Sequence, residues 1–122
     1  MKAAAGMLLL LLLALVPTSE QQQCPPGCFC DTKRAPHVPG SGHGTRVTCH
    51  QTSAESGAVF AGLPNDTVQL DMVNYGLTEV RKNMFNGLPF LQKLLLQGNV
   101  IAKIEDHSFR TLGHLQLLDL SR

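Results

Sequence analysis

Apolar residues recur along the second half of the chain at a fixed step. Leu91, Leu94, Leu96, Asn99, Ile101 and Ile104 fall 24 residues after Thr67, Leu70, Met72, Tyr75, Leu77 and Val80. Phe109 and Leu112 follow Phe85 and Leu88 at the same step, and Leu115, Leu118 and Leu120 open a third copy. Such a period predicts a solenoid, in which each coil is one supersecondary unit that buries its apolar side only against a neighbour. The copies cover residues 67–90, 91–114 and the start of another over 115–122. Within a copy the alternation predicts a short strand, because successive strand side chains point to opposite faces. Leu94 and Leu96 then point inward, and Lys93, Leu95 and Gln97 outward. A helix over "FLQKLLLQG" is excluded, since Gly98 and Asn99 stop it and the leucine spacing is not helical into Ile101 and Ile104. Asn99 sits where the strand must bend. Its amide both donates and accepts, so it suits backbone groups turned inward there. The first copy diverges, with Tyr75 at that position and Asn74 one residue early.

Apolar burial within a single coil does not offset the entropy of ordering it, so at least about three stacked coils and closing caps are expected. Two copies and one further strand therefore suggest the front end of a longer, receptor-like protein. At the other end, Lys2 precedes an apolar run from Met7 to Val16 that is followed by Pro17, Thr18 and Ser19. This predicts a secretory signal peptide over residues 1–19, because a spanning helix needs about 20 apolar residues. The expected location is secreted or on the extracellular face of the plasma membrane, with membrane attachment only if an anchor lies beyond Arg122. On that route the Asn65-Asp66-Thr67 sequon makes Asn65 a candidate glycan acceptor.

Cys24, Cys28, Cys30 and Cys49 all lie behind the leader, in a segment expected to span residues 20–66. An even count on a secreted route predicts two disulfides, with three pairings possible. Zinc binding with His43 or His50 is disfavoured, because the spacing lacks paired CxxC knuckles. "CFCD" and "RVTCH" read as the short strands of a hairpin. Between them, Pro36, Pro39, Gly40, Gly42 and Gly44 predict a mobile surface loop over Thr32–Thr45. Its glycines match no phosphate-binding motif. His37, His43, His50, His107 and His114 accompany no catalytic signature, so no enzyme, cofactor or metal is expected. The mature chain carries nine basic and nine acidic residues once Lys2 is removed, no Trp, one Tyr and no basic cluster. Neither a polyanion nor a nucleic acid is implied as partner.

The pattern LxxLxLxxNxL with a later Phe and Leu resembles the extracellular leucine-rich repeat, and Cx3CxC with a fourth Cys resembles its N-terminal cap. The resemblance spans nearly all of the mature chain. It implies an α/β solenoid fragment: a disulfide-bonded β-hairpin cap followed by short parallel strands lining a concave face. It also implies pairing of Cys24 with Cys30 and of Cys28 with Cys49; the second bridge closes a loop worth roughly 3 kcal/mol on the chain-entropy model. Within the family, "CPPGCFC" and "GLPNDT" look most similar to the platelet glycoprotein V and vasorin group, although the insertion between Cys30 and Cys49 is longer than that group usually carries. In this architecture the outward positions Gln69, Asp71 and Val73, then Lys93, Leu95 and Gln97, then Leu117, Asp119 and Ser121 form a row of mixed charge suited to a protein ligand. The expected function is non-catalytic extracellular protein recognition or adhesion. A structural matrix component and a soluble immune-type recognition protein are the alternatives.

Overall fold

Strands placed one repeat apart in sequence lie side by side in space. The computed structural model describes residues 24–50 and 56–122, so the expected leader over 1–19 lies outside the described residues. An antiparallel hairpin comes first, β1 (Cys28–Arg34) and β2 (His43–Cys49), followed by a short helix α1 (Ser56–Ala61). The repeats supply β3 (Thr67–Asp71), β4 (Glu79–Val80), β5 (Lys93–Leu95), β6 (Lys103–Ile104) and β7 (Leu117–Asp119). One sheet runs β1-β2-β3-β5-β7, and β4 and β6 form a second, two-stranded one. Apart from the hairpin, every pairing is parallel. Leu70, Leu94 and Leu118 share one register column, as do Gln69, Lys93 and Leu117. This is the leucine-rich repeat architecture behind an N-terminal disulfide cap.

The inward columns make the core. Val47, Leu70, Met72, Leu94 and Leu96 are fully buried, and Phe85 lies beneath them. Phe85 meets Phe60 of α1 edge-on at 5.6 Å and stacks on Phe109 at 6.1 Å, so the aromatic step of the repeat becomes a ring-to-ring contact. Towards the last strand burial falls away. Leu118 and Leu120 continue the columns of Leu94 and Leu96 yet are 37% and 36% exposed, and Ile104 is 44% exposed. Their inner faces meet only the preceding coil.

Asn99 is buried and links two coils. Its Oδ1 accepts hydrogen bonds from the backbone N–H groups of Tyr75, Gly76 and Leu77 at 3.0, 2.8 and 2.9 Å. Its Nδ2 donates to the carbonyls of Met72 and Leu96, both at 2.8 Å. The bend of the divergent first repeat is therefore satisfied by the asparagine of the next one. Tyr75 needs no amide of its own and packs into the core.

The cap joins the solenoid through β2. The structure bonds Cys24 to Cys30 and Cys28 to Cys49, the latter pair being register partners at the start of the hairpin. Segment Thr32–Thr45 differs from the mobile loop that its prolines and glycines suggest. The hairpin strands continue to Arg34 and from His43, leaving only residues 35–42 as a turn. That turn is held by hydrogen bonds from Ala35 N to Gly42 O and from Val38 N to Ala35 O, at 2.8 and 3.0 Å. Ala35 and Val38 are buried with Val68, and Phe90 packs against them, so apolar contact with the first repeat ties the turn down. Gly44 permits the approach, because a Cβ there would sit 2.7 Å from the Asp66 carbonyl and overlap Val68.

Replacing Asn99 by Leu removes the partner of three N–H groups and two carbonyls at a largely buried bend. Each costs about 1–3 kcal/mol, so the variant is expected to lose at least about 3 kcal/mol, read as a shift of the urea unfolding midpoint. A loss below about 1 kcal/mol would show that the bend finds other partners.

Candidate functional site

Pleating sends the residues between the inward leucines to the opposite, concave face of the five-stranded sheet. Two rows cross all five strands. One is Phe29, Thr48, Asp71, Leu95 and Asp119; the other is Asp31, Arg46, Gln69, Lys93 and Leu117. Of the nine outward positions expected from the repeats, Gln69, Asp71, Lys93, Leu95, Leu117 and Asp119 stand in these rows, and Val73, Gln97 and Ser121 follow just beyond the strand ends. Gln97 O extends the interstrand ladder by accepting from Asn74 N at 3.0 Å. Its side-chain oxygen is buried and has no hydrogen-bond partner among the described residues.

The cap supplies part of the face that repeat periodicity did not reveal. Phe29, Asp31 and Lys33 on β1, with Arg46 and Thr48 on β2, continue the rows outward from the first repeat. A signal for them was present in "CFCDTKR": once Cys28 and Cys30 pack inward, alternation turns the residues between and after them outward. Phe29 is 67% exposed, the most exposed large apolar side chain among the described residues.

Polar side chains on the face are tied together. Arg46 donates Nε and Nη2 to the two carboxylate oxygens of Asp31 at 3.0 and 2.6 Å, a bidentate pair. Gln69 accepts from Lys33 Nζ and donates Nε2 to Asp71 Oδ1 at 3.0 Å. Ser121 donates its N–H and hydroxyl to Asp119 Oδ1 at 3.0 and 2.7 Å, holding that carboxyl below its usual range. Pre-set hydrogen bonds of this kind lower the ordering cost a partner must meet.

The histidines divide. His37 of the cap turn makes a 2.8 Å contact from Nε2 to the Phe90 carbonyl, and its ring lies 4.9 Å from that of His114. These rings and Phe90 pack the cap turn against the repeats. His107 is exposed, at a left-handed turn with φ of 65°. Among the described residues no three His, Cys, Asp or Glu side chains converge to hold a metal ion. Asn65 is exposed just before β3, and the sequon's Thr67 is buried, its hydroxyl donating to the Pro64 carbonyl at 2.6 Å.

Comparison with known proteins agrees with this geometry. The family model described as leucine rich repeat matches residues 68–122. The chain is 30% identical over 99 residues to leucine-rich repeat-containing protein 3 of Danio rerio, a match covering 80% of this chain and 34% of that protein. It is 32% identical over 99 residues to leucine-rich repeat-containing protein 3B of Homo sapiens, with the same coverage of each. It is 33% identical over 101 residues to chondroadherin-like protein of Mus musculus, covering 82% of this chain and 12% of that one. The chain thus spans about a third of the length of the first two relatives. These matches do not support the narrower likeness to the platelet glycoprotein V and vasorin group.

The Asp31–Arg46 pair has a measurable signature. The Arg46 guanidinium, first by hydrogen bonding and then by charge, holds the Asp31 carboxyl below its ordinary value of 3.8. A depressed carboxyl contributes stability that is complete above its unfolded value and fades as pH falls through the folded one. In carboxyl-detected NMR titration Asp31 should therefore titrate below 3.8. Arg46→Gln should move it upward, and an unchanged midpoint would show that the pair does not persist in solution.

Proposed function

We propose that this leucine-rich repeat chain recognises a protein ligand on its concave face, outside the cell, and does so without catalysis. The observation that carries the reading is the pair of side-chain rows crossing all five strands from cap to last repeat. The rows mix apolar groups (Phe29, Leu95, Leu117) with charged ones (Asp71, Lys93, Asp119), as protein interfaces do. An open sheet face suits a macromolecule better than a small ligand, which needs a concave pocket that buries most of its surface. The bonded cysteines fit an oxidising compartment, which supports an extracellular or cell-surface location and the signal peptide expected over residues 1–19.

The chain acts as the cap and first repeats of a longer receptor-like protein. Its share of the relatives' length supports this. In this reading the cap is part of the recognition face as well as a closure for the first coil, because Phe29 and Arg46 stand in the same rows as Leu95 and Lys93. Asn65 carries a glycan. It projects from the connection before β3, so a sugar there leaves both rows open.

A binding screen of the complete ectodomain against other extracellular domains, followed by substitution, tests recognition. Leu95→Arg should weaken the selected partner by about tenfold or more, as expected for an interface centre, while Lys82→Glu away from the face should leave it within about twofold. Equal effects of the two changes would refute a concave site. For the glycan, glycosidase treatment of the secreted protein should lower its apparent mass, and Asn65→Gln should abolish that shift.

A further inference from the structure

The positive charges of the concave face are unequally matched. Arg46 is neutralised by its bidentate contact with Asp31, while among the described residues the only other ion pair joins Arg81 to Glu79, away from the face. Lys33 and Lys93 have no carboxylate contact of that kind. They converge on Gln69. Lys33 of β1 reaches across β2 and donates to the Gln69 side-chain oxygen, and Lys93 is the register partner of Gln69 on β5. The Gln69 amide already accepts from Lys33 through its oxygen and donates to Asp71 through its nitrogen. Asp71 shares the Gln69 amide, and among the described residues no carboxylate forms an ion pair with either lysine.

We propose that Lys33 and Lys93 form a subsite for a carboxylate, an aspartate or glutamate side chain of the protein ligand, with an adjacent apolar ligand residue packing on Leu95 or Leu117. This rests on the concave recognition role proposed above and specifies its chemistry. Both lysines are half-buried, so their ammonium groups are partly stripped of water before a partner arrives. Lys33 is held below the ordinary lysine range, first by burial and next by the charge of Lys93; Asp71 opposes this only as a weaker influence. An incoming carboxylate relieves that repulsion. Leu95 and Leu117 lie next to Lys93, respectively two residues along β5 and opposite it on β7, so charge and apolar surface are adjoining.

The test uses the intact chain and two peptides, acetyl-Leu-Glu-Phe-Glu-Leu-amide and the same peptide with Gln for Glu, with lysine Cε resonances followed by NMR. The acidic peptide should shift Lys33 and Lys93 and bind at least about fivefold more tightly than its neutral counterpart, an advantage that shrinks as salt is raised. Lys33→Gln and Lys93→Gln should each remove most of that advantage, and Lys82→Gln should leave it intact. Equal binding of the two peptides, absence of binding at millimolar peptide, or shifts confined to other lysines would overturn the subsite. The broader reading has a separate readout. If Leu95→Arg abolishes binding of the screened partner while both lysine variants retain it, concave recognition stands and the carboxylate subsite fails.

Discussion

One amide holds the bend on which the stacking depends. Where the strand of a repeat turns away from the sheet, its backbone N–H groups point inward, out of reach of water and of any neighbouring strand. Asn99 satisfies three of them and two carbonyls, reaching from its own coil into the one before. Few side chains can donate and accept at such short range. The first coil thus depends on the second for backbone hydrogen bonds as well as for apolar burial. The fixed repeat step follows from this mutual completion, since a change in length would take the asparagine out of the bend and Phe109 off Phe85 together.

The cap solves the opposite problem, that of beginning such a stack. A first coil needs a partner on its outer side without having a repeat before it, and the hairpin provides one by pairing antiparallel within itself and parallel with β3. The bridge between Cys28 and Cys49 closes the end of the hairpin, and Gly44 lets its other end approach the first repeat. Thr45 strengthens that junction through its N–H and hydroxyl, which bond to the carbonyl and carboxylate of Asp66 at 3.0 and 2.8 Å. A consequence reaches function. Because the cap is strand-paired to the repeats, its outward side chains join theirs in one surface, and Lys33 crosses β2 to reach Gln69.

The repeat region was the most legible part of the chain. Leu94 and Leu96 went inward and Lys93 and Leu95 outward because the strand period of two leaves no other arrangement once the leucines are buried. α1 was not legible. Six residues are too few to show helical periodicity, and what fixes this turn in place is the contact of Phe60 with Phe85, remote in sequence. The turn after β1 was misleading for a related reason. Prolines and glycines report local conformational preference, whereas the order of residues 35–42 comes from burying Ala35 and Val38 against Val68 and Phe90.

The period, the inward and outward alternation of each strand, and the need for neighbours are legible along the chain, because these follow from local geometry and from how much apolar surface one coil carries. Which neighbour meets each need was settled only by the folded arrangement. It assigned the amide of Asn99 to the bend containing Tyr75, and it brought Lys33 and Lys93 together at Gln69. These pairings join residues far apart in the chain, and the physical reason they escape a linear reading is that a hydrogen bond or a charge contact acts over a few ångströms of space, whatever the number of residues between its partners.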